Sequence, residues 1–119
     1  MQIEELTNRW FRVWETGTYR EIPVSEGFRH TSPYGTIEGK GTYLALVEAN
    51  TDKFLGNQIT IQDAIYSKDR ACVRYSITNK SFSMEVSEWL YSSDGLISEI
   101  ISYYNIEGEI PEGRKLSDN

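Results

Sequence analysis

His30, Arg74 and Glu85 are the side chains whose types and spacing best suit proton-transfer chemistry in this chain. His30 is the only histidine. Its ordinary pKa lies near neutrality, so it can take up and return a proton at working pH. It sits in "FRHTS", where alternation puts Phe28, His30 and Ser32 on one side of a strand. Arg74 and Glu85 meet if Asn79 and Lys80 form a two-residue turn, which also sets Cys72 opposite Ser87. A guanidinium held in that way can bind a ligand carboxylate or an enolate, with Glu85 orienting it. Asp94-Gly95 is a strong hairpin signal. As the next turn it sets Glu85 opposite Tyr104, Ser87 opposite Ser102 and Trp89 opposite Ile100. The plainer readings are a buried neutral imidazole bonded to a carbonyl or to Tyr34, and a self-satisfied polar ladder of Arg74, Glu85 and Tyr104.

The elements that must position these groups are legible from periodicity. Ile3, Leu6, Trp10, Val13 and Trp14 form one stripe of a helix over residues 3–14, and Gly17 is placed to stop it. "TYRE", Thr18 to Glu21, has a capping-box pattern, and Pro23 limits any helix there to one or two turns. A turn-rich connection, "PYGTIEGKG", leads into a second helix, "TYLALVEANTDKF", that ends at Gly56. Four strands follow: "QITIQDAIYS", "ACVRYSIT", "SFSMEVSEWLYS" and "LISEIISYYN". Helices first and a meander afterwards make an α+β pattern. Residues 1–106 read as one domain, and the polar stretch 107–119 as a loosely held tail.

Composition narrows the function classes. The chain has 119 residues, enough for one domain with its own core and without a stabilising metal or disulfide. A net charge of −6 disfavours a nucleic-acid partner. Cys72 is the only cysteine, so no multi-cysteine metal site is expected. No phosphate loop, His-x-x-x-His pair or serine triad context is visible, and neither a metal nor a cofactor is expected. The opening "MQIEELTNRW" lacks a long apolar run, so neither a signal peptide nor a membrane span is expected, and a cytoplasmic location is the default.

The meander has two dissimilar faces. One carries Cys72, Arg74, Glu85, Ser87, Trp89, Ile100, Ser102 and Tyr104; the other carries Val73, Tyr75, Met84, Val86, Ile101 and Tyr103 and is more apolar. Binary patterning alone turns the apolar face toward the helices and leaves Arg74 and Glu85 in water. It would also leave Trp89 and Ile100 in water, so both faces look covered, one of them by a second copy of the chain.

The order of parts resembles the nuclear transport factor 2-like superfamily, and within it the SnoaL-like and ketosteroid isomerase-like domains. "NRWFRVWETG", "SPYGTIEGKGTY" and "SEWLYSSDGLISEIISYY" carry the likeness across residues 3–105. It implies a cystatin-like cone, a curved antiparallel sheet wrapped around the N-terminal helix with an interior pocket. It further implies that the polar face looks inward and that the apolar face forms a homodimer through Val73, Tyr75, Met84, Val86, Ile101 and Tyr103. Trp10, Trp14, Phe28, Ser32, Cys72, Ser87, Trp89, Ile100, Ser102 and Tyr104 would then line the pocket around His30, Arg74 and Glu85. Carried over residue by residue, the isomerase's general base falls on Ser32, its oxyanion tyrosine on Trp10 and its second acid on Ser87. Isomerisation by that mechanism is therefore not expected.

Three function classes follow. One is a cofactor-independent isomerase, cyclase, dehydratase or hydrolase acting on a small, mostly apolar molecule. Another is a binding module for a lipid-like or aromatic metabolite, and the third is a protein-interaction domain.

Overall fold

A computed structural model describes residues 1–105 and 112–114. Helix α1 spans Ile3–Thr16 and buries Ile3, Leu6, Thr7, Trp10, Phe11, Val13 and Trp14. These positions recur every three or four residues, so one face of the helix is apolar. Burying side chains of this size stabilises by about 1.5–3 kcal/mol each. Gly17 stops the helix in the left-handed conformation, φ 83°, with its N–H on the Val13 carbonyl at 2.9 Å. The capping box expected at Thr18 does not form. The Thr18 hydroxyl bonds Thr16 at 2.7 Å, and a single 3-10 turn covers Tyr19–Glu21.

Strand β1 (Val24–Ser32) turns at Pro33 and Tyr34 into a short β2 (Gly35–Glu38), where a plain connection was expected. Helix α2 (Lys40–Ala49) breaks at Asn50, and α3 (Thr51–Phe54) adds one turn. Then come β3 (Gln58–Tyr66), β4 (Arg70–Thr78), β5 (Ser83–Ser93) and β6 (Leu96–Tyr103). The six strands form one curved, unclosed sheet in the order β2-β1-β6-β5-β4-β3, in which only β1 and β6 run parallel. The sheet wraps α1, and the core lies between them. The fold is α+β, as the sequence implies. Apart from the 3-10 turn Glu112–Arg114, the polar tail lies outside the described residues.

Register separates structure from expectation at one turn and one bulge. The β4–β5 connection is four residues long, because Thr78 pairs with Ser83. Asn79 explains the extra length, since its side-chain oxygen takes the N–H groups of Ser81 and Phe82 at 2.7 and 3.1 Å. Arg74 therefore pairs with Ser87, and Glu85 with Ser76. Asp94-Gly95 is the β5–β6 turn as expected, with φ 53° and 79° and Ser93 opposite Leu96. One step on, a bulge intervenes: Ser92 pairs with Ile97 but Tyr91 with Glu99, leaving Ser98 as the extra residue. From there the register is one residue off, and every later side chain of β6 faces the opposite partner set. Glu88 pairs with Ser102, and Trp89 with Ile101.

The inner wall is consequently the apolar one. Val73, Tyr75, Val86, Leu90, Ile97 and Ile100 are buried in the core, and Met84 packs against it. The expected dimer residues Val73, Tyr75, Met84 and Val86 thus face inward; of that set only Ile101 and Tyr103 remain on the outer wall. Cys72, Arg74, Glu85, Ser87 and Trp89 face outward, contrary to the inward placement the resemblance implied. The reason is energetic: turning the polar side inward would leave Val73, Leu90 and Val86 in water and require unpaired charges in the core.

Candidate functional site

Rings and one carboxyl fill the space between α1, α2 and the sheet. Trp10 comes from the helix stripe, Phe28 and His30 from alternation along β1, and Tyr43 from the first turn of α2. The His30 ring stacks on Tyr43 at 5.2 Å and on Trp10 at 6.3 Å between centroids. Phe28 meets Tyr43 edge-on at 5.3 Å, and Trp14 closes against Trp10 at 5.3 Å. Such tilted and edge-on contacts follow the ring quadrupoles.

Glu88 is the polar centre of this space. It is 2% exposed. Its Oε1 accepts the Trp10 indole N–H at 3.0 Å, and its Oε2 accepts the Tyr75 hydroxyl at 2.8 Å and the Ser102 hydroxyl at 2.9 Å. The carboxyl therefore joins α1, β4, β5 and β6. Burial pushes its pKa up, and the three donated hydrogen bonds pull it back only in part. Burial also raises the Tyr43 and Tyr75 phenols, and the nearby Glu88 and Tyr104 raise them further.

His30 carries the opposite shift. Burial lowers its pKa to about 4, so the ring is neutral at physiological pH. The folded state then binds fewer protons than the unfolded chain between about pH 4 and 6.5. Its contribution to stability is complete above about pH 6.5 and falls as the pH drops toward 4, by on the order of 3 kcal/mol. Glu88 works the other way: its contribution is complete below 4.5 and is lost as the pH rises through its raised folded value. Replacing His30 by Phe keeps a stacked ring and removes the titration. His30→Phe is expected to flatten the fall in urea midpoint between pH 6.5 and 4, and an unchanged acid limb would contradict a buried neutral imidazole.

The sequence-predicted residues divide between the walls. His30, Trp10, Trp14, Phe28, Ile100 and Ser102 lie in or against the inner cluster, Tyr104 packs on its edge, and Ser32 is half-buried at the end of β1 with its hydroxyl accepting the Tyr34 N–H at 3.2 Å. Arg74 and Glu85 are exposed and, among the described residues, form no ion pair; Glu85 instead accepts the Ser76 hydroxyl at 3.1 Å. They do share an open depression of about 470 Å³ with Pro33, Ser87, Tyr103 and Tyr104, but it is not beside His30.

Glu88, Tyr43 and Tyr75 were missed as site residues. Glu88 had a readable signal: Met84, Val86, Glu88 and Leu90 alternate on β5, and a carboxyl interrupts an otherwise apolar face. The position expected to carry the isomerase's second acid, Ser87, points outward, and the residue after it supplies a buried carboxyl. Among the described residues, no three His, Cys, Asp or Glu side chains gather as a metal-ligand set, and no helix is long and apolar enough to cross a membrane.

The family model for the SnoaL-like domain matches residues 7–100. The chain belongs to the SnoaL-like family. Solved structures give the same architecture at low identity. A protein of Kribbella flavida DSM 17836, provisionally classed as a ketosteroid isomerase, is 21% identical with a TM-score of 0.75, over 97% of this chain and 87% of that one. A nuclear transport factor 2-like protein of unknown function from Burkholderia xenovorans LB400 is 14% identical with a TM-score of 0.75, over 94% and 89%. A protein of Jannaschia sp. CCS1, provisionally classed as a SnoaL-like polyketide cyclase, is 13% identical with a TM-score of 0.72, over 86% of each chain. Among curated proteins nothing matches. For this SnoaL-like chain, identities of this size establish the fold, and the reading of its site rests on its own residues.

Proposed function

We propose that this SnoaL-like protein acts on a small, mostly apolar molecule at the inner ring cluster, as a cofactor-independent isomerase, cyclase, dehydratase or hydrolase. The observation that carries the reading is Glu88, a buried carboxyl oriented by three donors, one of which belongs to the same Trp10 that stacks on His30. Neutral His30 is the proton acceptor, and Glu88 is the second acid–base group. Burial moves the pKa of each toward its uncharged form. Arg74 and Glu85 have no part in this machinery because both face solvent.

A binding module is the second reading. It is favoured by the weak basicity of an imidazole near pKa 4 and by the absence of an Arg at the inner wall among the described residues. Native mass spectrometry of the purified chain, followed by chemical analysis of any retained molecule, separates the two. Enzyme action predicts that the molecule is converted on incubation and that His30→Gln abolishes conversion in a folded protein. Release of an unchanged molecule, at a rate independent of pH, supports the binder.

Homodimerisation through the outer wall is part of the proposal, with a revised set of residues. Ile65, Cys72, Trp89 and Ile101 pair in one cross-strand row. Ile65 is 69% exposed, Trp89 38% and Tyr103, nearby, 60%. The expected mass is that of a dimer, reduced to a monomer by Trp89→Asp. A cytoplasmic location belongs to the same proposal.

A further inference from the structure

We infer that the depression on the outer wall binds a free α-amino acid with an aromatic side chain, its carboxylate on Arg74 and its ammonium on Glu85. The inference is independent of the inner cluster.

The first support is an unused guanidinium. Three arginines lie on the sheet, Arg29 on β1 and Arg70 and Arg74 on β4. Arg29 pairs with Glu38 at 3.4 Å and Arg70 with Asp69 at 3.5 Å, whereas Arg74 has no ion pair among the described residues. Yet carboxylates stand on both sides of it. Asp63 is its cross-strand partner on β3, and Glu85 lies diagonally across on β5. A planar fork left open in this way matches a ligand carboxylate.

The second is the way Glu85 is held. Strand β3 bulges at Gln62, since Ile61 pairs with Tyr75 but Asp63 with Arg74. Bulges re-aim side chains. Here the Gln62 amide N–H meets the Ser76 hydroxyl, which in turn donates to the two Glu85 oxygens at 3.2 and 3.1 Å. The carboxylate is tied to Ser76 and not to Arg74, and it keeps acceptor sites for an ammonium. Opposite charges thus stand side by side without neutralising each other, as a zwitterion requires.

The third is the rest of the lining. The depression measures about 470 Å³, within the range of small-molecule sites. Pro33, Tyr103 and Tyr104 line it beside the charges, and the Tyr34 ring leans on Tyr104 at 6.1 Å between centroids. Tyr103 is 60% exposed, so its ring is free to take a ligand ring. Charge then selects. A bare carboxylate would be repelled by Glu85, Asp63 and the net charge of −6, and a bare amine by Arg74. A molecule that carries both charges balances both repulsions.

Phenylalanine, phenylpropionate and phenethylamine share a ring and carry both charges, the carboxylate alone and the ammonium alone. Each is titrated at pH 7 into the full chain labelled with nitrogen-15, while the backbone amides of Ser87 and Tyr103 and the Trp10 indole are followed. Phenylalanine is expected to move both amides and leave Trp10 still, with each relative roughly tenfold weaker or more. Arg74→Gln should erase its advantage over phenethylamine, and Glu85→Gln its advantage over phenylpropionate. Equal binding of the three molecules, or the same preference in both variants, overturns the inference. A response confined to Trp10 overturns it in favour of the inner cluster. Amides that shift on dilution of the protein, and with none of the three molecules, overturn it in favour of a second copy on this face.

Discussion

Replacing Glu88 by Leu is expected to cost several kcal/mol of folding stability, although Leu is apolar and similar in size. The side chain is lost but its three donors remain. The Trp10 indole, the Tyr75 hydroxyl and the Ser102 hydroxyl would stay buried without an acceptor. Each orphaned donor costs roughly 1–3 kcal/mol, against a total stability of about 5–15 kcal/mol for a typical domain. Glu88→Gln should fall between wild type and Glu88→Leu, because the amide keeps one acceptor but brings donors of its own. The decisive comparison adds Trp10→Phe, Tyr75→Phe and Ser102→Ala to Glu88→Leu. Removing donors and acceptor together leaves an apolar core with nothing unsatisfied, so much of the loss should return. Urea denaturation measures all four proteins. A Glu88→Leu variant as stable as wild type would mean that the network is not closed to water.

Leu90 and Trp89 test which wall is inside, and size alone predicts the wrong order. Trp is the larger side chain, yet Leu90 is 0% exposed and Trp89 is 38% exposed. Leu90→Ala opens a cavity among packed neighbours and is expected to cost about 2–5 kcal/mol. Trp89→Ala, measured in the monomer, is expected to cost under about 1 kcal/mol. The reverse order would return Trp89 and the other outward residues of β4 and β5 to the interior.

These two residues also mark how far the sequence could be read. The α1 stripe, Gly17 and Asp94-Gly95 act through local geometry, and all are where periodicity and turn chemistry put them. Binary patterning of β5 points the right way, with Val86 and Leu90 inside, whereas the resemblance had put Val86 on the outer face. The inward placement of Arg74 and Glu85 came from the resemblance, against the binary pattern of β4 and β5, and the cross-strand pairings drawn with it failed separately on two local details. One is Asn79, whose side chain folds the turn into four residues instead of two. The other is Ser98, which adds a residue to β6 beside an otherwise regular hairpin, with its hydroxyl on the Tyr91 carbonyl at 3.2 Å. Neither is visible in hydrophobic period, because a bulge changes register without changing composition. His30 was legible because a lone histidine on an apolar strand face stands out. Glu88 was legible in principle, as the one charge on an apolar face. Pairing Trp89 with Ile100 on one face hides it. The bulge separates them, turning Ile100 inward and Trp89 outward.

In the proposed function the working wall is the inner one, with the Trp10 indole bonded to Glu88 at its middle. The most direct measurement is the exchange rate and chemical shift of the Trp10 indole N–H in wild type, Glu88→Gln, Glu85→Gln and Arg74→Ala. The account predicts a slowly exchanging proton whose signal moves with Glu88→Gln and stays unmoved in the other two variants. A freely exchanging indole, or one that answers to Arg74 or Glu85 instead of Glu88, would contradict it.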